Sequence, residues 1–332
     1  MRFVLDHELF GRNGTDLALL GLFDICRRRL HRITVDQQHR PAMDQWLSGV
    51  NAQVARDCRE LVVTSEKEEA LRRSAFRARV GNVTDLVRSP PWLSIADAAA
   101  LAEGPFRLFV EGPHVDRAFL QSMMTPAEKD HFADRVRRGL VDTRHCGGID
   151  QIGSAVSSVA SAPGASWQCF AMFDSDGLSP TSKSASAAAA SSACEMSNVK
   201  HHCLERRMIE NYLPIPALKA WASTAKRKQE RKEKLDRVHA FEQLKPVQRH
   251  HFNLKKGFDG DRKRLQYDAT AKRDASALYA DLSASLSEIL AHGFGNTIAG
   301  LFEGQVTEHQ LRSDGCWQLM RPIIHELMSM VQ

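Results

Sequence analysis

The sequence predicts an α/β protein with a parallel sheet flanked by helices, and three observations lead there. Between residues 106 and 177 short apolar runs alternate with helical stretches, and each run ends in a turn that carries glycine. The first hundred residues repeat the alternation on a smaller scale, and beyond residue 200 the pattern becomes largely helical. Strands alternating with helices pair in parallel, and the ligand crevice of such a sheet lies at the carboxyl ends of its strands.

Taken in order, FVL at 3–5 reads as a short strand, and DLALLGLFDICRRRL at 16–30 has helical periodicity with basic residues in its last turn, where they favour the helix dipole. RITVD at 32–36 is β-rich, and Pro41 sits where a helix can begin, with MDQWLSGVNAQVA at 43–55 continuing it. The 11-GRNGTD-16 segment has the glycines of a phosphate loop but not its Gly-Lys-Ser/Thr ending, so no nucleotide site is assigned. Pro90 and Pro91 mark a break, after which Ser94 or Asp97 starts another helix. Residues 1–104 thus form a small α/β domain.

A second unit, 105–215, carries the clearest pattern. FRLFV at 106–110 runs into Glu111-Gly112 and a helix from about Asp116 to Met124; LVDTRH at 140–145 runs into Gly147-Gly148 and a helix at 150–160. QCFAMF at 168–173 ends in Asp174-Ser175-Asp176-Gly177. Residues 178–199 are small and polar, which reads as a flexible loop. Helices are expected at 204–213, 217–240, 276–291 and 317–331, so 216–332 forms a basic, mainly helical extension. Apolar Leu282, Leu286, Ile289 and Leu290 either complete the core or form a homodimer interface.

Composition narrows the function classes. With 332 residues, 43% of them apolar, the chain can bury a real core. Its apolar runs fall short of the ~20 residues that span a bilayer. The start MRFVLDHELF is acidic rather than signal-like, so a cytoplasmic protein without a membrane partner is expected. Seven scattered cysteines contain no C-x-x-C pair, and neighbouring His201, His202 and Cys203 lack a second ligand pair, which argues against structural zinc. Residues 200–274 hold 20 Lys and Arg against 10 Asp and Glu, whereas the rest of the chain holds 25 against 30. Such a basic segment suits a polyanion such as nucleic acid, although 226-KRKQERKEKLDR-237 also has the texture of a solvated helix face.

Glu111, Asp174 and Asp176 are placed at the carboxyl ends of parallel strands, and hard carboxylate oxygens suit Mg²⁺ or Mn²⁺ held against a phosphate. At these residues the chain resembles the Toprim domain. Glu111-Gly-Pro-His-Val-Asp116 is similar to the Toprim glutamate turn, VDTRHCGG at 141–148 to its second strand and glycine turn, and Phe173-Asp-Ser-Asp-Gly177 to its Asp-x-Asp motif. The segment 202-HCLERRMIENYL-213 resembles the stretch after Asp-x-Asp in Toprim nucleases of the overcoming-lysogenization-defect family, so the likeness covers about 106–256. It implies a Toprim (Rossmann-like) fold and a metal-dependent endonuclease in which two metals promote phosphodiester cleavage. It also implies metal ligands at Glu111, Asp116, Asp174 and Asp176, with Glu210 a further candidate. Arg206 and Arg207 would grip phosphate, and a catalytic lysine would be Lys255 or Lys256, with Lys256 the choice made for catalysis.

The departures from the family are informative. Its members carry an ATPase domain ahead of the Toprim domain, whereas no Walker motif occurs here. The chain therefore resembles the standalone Toprim effectors of PARIS-type phage defence, which implies a separate ATPase partner. The expected substrate is DNA or a structured RNA such as tRNA; aromatics at 7% argue against a base-stacking surface. The alternatives are a subunit silenced by its docked ATPase, or a nucleic-acid-binding protein without catalysis. The first domain bears a sparse likeness to PIN-type ribonucleases, in Val4-Leu5-Asp6 and Ser94-Ile-Ala-Asp97, but acids also cap strand ends and helix starts, which favours a docking domain.

Overall fold

The computed structural model describes residues 1–11, 16–112 and 114–331, so most of the 11–16 glycine segment and Pro113 of the glutamate turn lie outside it. The protein is α/β, with two four-stranded sheets, both wholly parallel and both flanked by helices. The first half runs β1 (Arg2–Leu5), α1 (Asp16–Arg29), β2 (Arg32–Val35), α2 (Arg40–Ser48), α3 (Ala52–Leu71), β3 (Arg77–Gly81), β4 (Trp92–Ser94) and α4 (Ile95–Glu103). Its strand order is β2-β1-β3-β4. Ser94 caps α4 as its sequence position suggests, its hydroxyl accepting from the Asp97 N–H at 3.1 Å. The long α3 and the strands β3 and β4 were not anticipated: Arg77 and Arg79 alternate with Ala78 and Val80, and the charge masks the period of two.

The second half runs β5 (Phe106–Val110), α5 (Val115–Ser122), α6 (Pro126–Arg137), β6 (Val141–His145), α7 (Ile149–Ala160), β7 (Cys169–Phe173), α8 (Ala185–Met196) and β8 (Lys200–Cys203), in the order β6-β5-β7-β8. Period two sorts its side chains cleanly. Leu108, Val110, Phe170 and Met172 join one core with α5 and α6, while Phe109, Ala171 and Phe173 join another with α7 and α8.

The segment expected as a flexible loop, 178–199, instead contains α8. Its Ser and Ala content looks like coil, yet alanine is the best helix former, and Ala187, Ala190 and Cys194 are buried against α7 and the sheet. A Cβ placed on Gly153 of α7 would stand 3.0 Å from the Ala193 Cβ, so small residues set how closely the two helices approach. Gly153→Leu is expected to overpack this contact and destabilise the protein by about 1–3 kcal/mol, read as a lower urea midpoint.

The C-terminal helices are α9 (Ile215–Ser223), α10 (Lys228–Gln243), α11 (Pro246–His251), α12 (Arg262–Tyr267), α13 (Ala269–Leu278), α14 (Ala284–Ile289), α15 (Glu308–Ser313) and α16 (Cys316–Met330). The helix expected over 217–240 is thus broken between α9 and α10, and the one over 276–291 between α13 and α14. Phe241, Leu254, Leu290, Phe302, Trp317 and Ile324 share the core of the second sheet, with Leu282 and Leu286 packed on it, so this extension completes that core. The helix expected at 204–213 is only a 3-10 turn at Ile209–Tyr212. Its upstream carbonyls are taken elsewhere: Arg207 O accepts from the Asp176 N–H at 2.8 Å, and Arg206 O from the Ser175 hydroxyl at 3.1 Å. Among the described residues no helix is long and apolar enough to cross a membrane.

Candidate active site

In the second sheet the chain leaves β5 for β6, then returns to β7 on the other side of β5, so the strand order reverses between β5 and β7. Ligands of open parallel sheets bind at such a reversal, beyond the carboxyl ends of the strands. Glu111 follows β5 and Asp174 follows β7, and the structure brings them together: Glu111 Oε1 accepts the Asp174 N–H at 2.8 Å. Asp174 Oδ1 in turn accepts the Ile209 N–H at 3.0 Å, which ties the strand end to the turn bearing Glu210. Asp116, in the first turn of α5, reaches back to the Gly112 N–H at 2.8 Å. Gly177 is required, because a Cβ there would lie 2.2 Å from Ser182 O, whereas a Cβ on Gly112 would find only Asp116 Oδ1 at 3.8 Å.

These carboxylates sense one another. Burial pushes Glu111 up to about 7; the Asp174 N–H works against this, while Asp176 and Asp116 add repulsion and Lys255 relieves it. Burial raises Asp116 to about 6, opposed by the Gly112 N–H and reinforced by Glu210. Asp174 is also raised, first by burial, then by Glu111 and Glu210. An acid whose ionisation is held back only in the folded chain weakens folding once the unfolded chain has ionised. For Glu111 the stability loss therefore grows as pH climbs from 4.5 to about 7 and stays constant above. In metal-free buffer Glu111→Gln should gain up to about 3 kcal/mol over the native protein near pH 8 and almost nothing near pH 4. Urea unfolding across that range checks it, and equal midpoints throughout would refute the crowding.

Lys255 supplies the countercharge. Its ammonium lies 3.1 Å from Glu210 Oε1, and although burial acts to lower its pKa, Glu210, Asp174 and Glu111 together raise it. Lys256, the catalytic lysine expected from the sequence, is exposed, and the ion pair with Glu210 is made by Lys255 instead. The turn places the two differently. Gly257 has φ +67°, and a Cβ on Gly293 would come within 2.4 Å of the Lys255 carbonyl group, so the coil at 290–295 holds Lys255 in place. Phe294 N–H to Leu254 O at 2.7 Å and Gly295 N–H to Lys255 O at 3.0 Å complete that clamp.

The assignment of Arg206 and Arg207 to phosphate is corrected. Both are buried, at 6% and 4% exposure. Arg207 forks onto Asp261 at 2.6 and 2.7 Å, and Arg206 donates to Asn211 O at 2.7 Å and Asp314 at 3.2 Å while its guanidinium lies over the Tyr212 ring. They are braces for the Asp176 turn. Asp176 itself has φ +47°, and its carbonyl accepts from Arg264 at 2.6 Å, a contact the sequence did not signal.

The donor set fits a divalent cation chemically: Glu111, Asp116, Asp174, Asp176 and Glu210 lie near enough to repel one another, and among the described residues one oxygen of Glu210, 2% exposed, has no hydrogen-bond partner. As the side chains stand, however, no three acidic, His or Cys groups among the described residues converge closely enough to hold an ion. Lys255 pairs with the other Glu210 oxygen, Oε1.

The first sheet has the same order reversal, with Asp6 after β1 and Asp36 after β2. There Arg79 bridges both acids, at 3.0 Å to Asp6 and 2.7 Å to Asp36. Burial acts to raise Asp6, but the Glu8 N–H, Arg79 and His7 hold it below the ordinary carboxylate range. Asp97 is consumed by Ser94, at 2.8 Å, and by Thr84. These acids are neutralised or capped, which favours a packing role over a PIN-like site. Compared with protein-family models, curated proteins and solved structures, the chain matches none.

Proposed function

We propose that the protein is a Mg²⁺- or Mn²⁺-dependent endonuclease of the Toprim type, cleaving phosphodiester bonds in DNA or structured RNA as an effector of anti-phage defence. The observation that carries this is the 2.8 Å bond from the Asp174 N–H to Glu111, which joins two motifs 63 residues apart at the reversal of the sheet. A divalent cation bound there would polarise a phosphoryl oxygen and lower the pKa of water. The chain's own groups do the rest. Glu111, poised to about 7, can hold the proton of an attacking water, while Asp116 and Asp174 are fixed by backbone N–H groups, and Lys255 can offset charge growing on the phosphate.

Purified protein should cut plasmid DNA, single-stranded DNA or tRNA with Mg²⁺ or Mn²⁺ and stop on adding EDTA. Absence of both cleavage and calorimetric Mn²⁺ binding would overturn the proposal. A second reading has a partner ATPase holding the subunit silent; it is in keeping with carboxylates that, among the described residues, do not converge into an ion site as the side chains stand. On that reading the isolated chain binds Mn²⁺ weakly and cuts only once its partner is added and released.

A further inference from the structure

Between the two halves, away from the carboxylates, lies a cavity of about 440 Å³ lined by residues of α1, β2, α3 and α6. Four arginines border it, Arg27, Arg32, Arg72 and Arg135, against one acid, Glu68. Two of the four are satisfied. Arg27 pairs with Asp57 and Asp24, each at 3.5 Å, and Arg32 with Glu68 at 3.2 Å and Glu69 at 2.9 Å. The other two are not. Among the described residues Arg72 finds no carboxylate and donates only to Met328 O at 3.4 Å. Arg135 is half-buried; its Nε donates to His131 at 3.4 Å, and among the described residues its Nη1 is buried without a hydrogen-bond partner. Its neighbour Asp134 is already bound to Arg137 at 2.8 Å and to Arg138 at 3.8 Å.

Arg72 and Arg135 border the same cavity, with His131 also on its lining; burial and then the charges of Arg135 and Arg72 hold His131 below its usual range. His31, on the same wall, is pushed down to about 3, chiefly by burial. Of the two arginines, it is the Arg135 Nη1 that is shut away from water, and a buried cationic donor without a partner costs free energy that a folded chain ordinarily avoids. An anion with several oxygens is the natural complement, because the guanidinium fork matches phosphate in geometry and charge. The cavity exceeds what a bare inorganic ion needs and falls within the ~300–1,000 Å³ typical of small-molecule sites. Leu30, Leu61 and Cys26 supply an apolar wall for the rest of such a ligand.

We propose that this inter-sheet cleft binds a phosphorylated small molecule of nucleotide size, its phosphate held by Arg72 and Arg135 and its body packed on Leu30 and Leu61. The ligand would join the two halves, since Arg72 follows α3 of the first and Arg135 lies on α6 of the second. Nothing in this depends on the nuclease reading.

Calorimetry and thermal shift with ADP and with inorganic pyrophosphate, in EDTA so that the carboxylate site holds no metal, test it on the full chain. Native protein should bind ADP saturably with a raised Tm, and pyrophosphate more weakly. Arg135→Gln and Arg72→Gln should each weaken ADP binding by about ten-fold or more, as loss of a charge-assisted contact does. Glu111→Gln should bind as the native protein does. Arg72 is exposed, so its variant keeps the test alive if Arg135→Gln misfolds. Failure of native protein to bind either probe, native-like binding by the folded arginine variants, or a matching loss in Glu111→Gln would each overturn the assignment.

Discussion

Glu111→Gln and Asp174→Asn should each reduce metal-dependent cleavage by at least about 10²–10³-fold, the scale expected when one preorganised charge-stabilising group is lost. Both substitutions keep shape and backbone contacts: Gln can still accept the Asp174 N–H, and Asn the Ile209 N–H. The variants should therefore stay folded, and Glu111→Gln should be the more stable protein above neutral pH because it sheds a crowded charge. Lower activity with higher stability separates a working carboxylate from a structural one. The double variant should fall little below either single one, since residues acting as a unit are not additive. Lys255→Met should also impair cleavage, whereas Lys256→Met should leave it near the native rate. Single-turnover cleavage with saturating Mn²⁺ reads all of these, and full activity in both carboxylate variants would end the active-site reading.

Arg207→Ala should cost about 3–5 kcal/mol, because it strands the largely buried Asp261 without its partner. Against a typical total of ~5–15 kcal/mol, that is enough to threaten the fold. The local consequence is specific, since Asn253 also donates to Asp261 at 3.0 Å and Arg207 O holds the Asp176 N–H. Losing the brace should loosen the Asp176 turn and the start of the Lys255 turn together. Equilibrium urea unfolding measures it. A phosphate-binding arginine on the surface would instead leave the midpoint unchanged and weaken only substrate affinity, and that result would restore the original assignment.

Much of the second sheet is legible from sequence where a short apolar run meets a glycine turn. β5, β6 and β7 are legible in this way, and with them the positions of Glu111 and Asp174. β8 was not, because its KHHC sequence is polar. The His201 ring lies parallel to Phe173 on the neighbouring strand at 6.0 Å, a contact that periodicity does not encode. α8 was missed because small residues chosen for close helix packing have the composition of a loop. Arg206 and Arg207 look like a basic patch until their acids are seen, and those stand 108 and 54 residues away. Adjacent Lys255 and Lys256 are equivalent in sequence; a glycine nearly forty positions downstream, Gly293, makes them different.

The matching strand orders of the two sheets, β2-β1-β3-β4 and β6-β5-β7-β8, give the molecule the same wiring twice with opposite mechanical outcomes. In the first, a rigid planar guanidinium spans two acids and rivets neighbouring strands. In the second, a single ammonium on a pliant stem rests against one acid and spans no pair of strand ends. One half is riveted across its strand ends and the other is pinned at a single point.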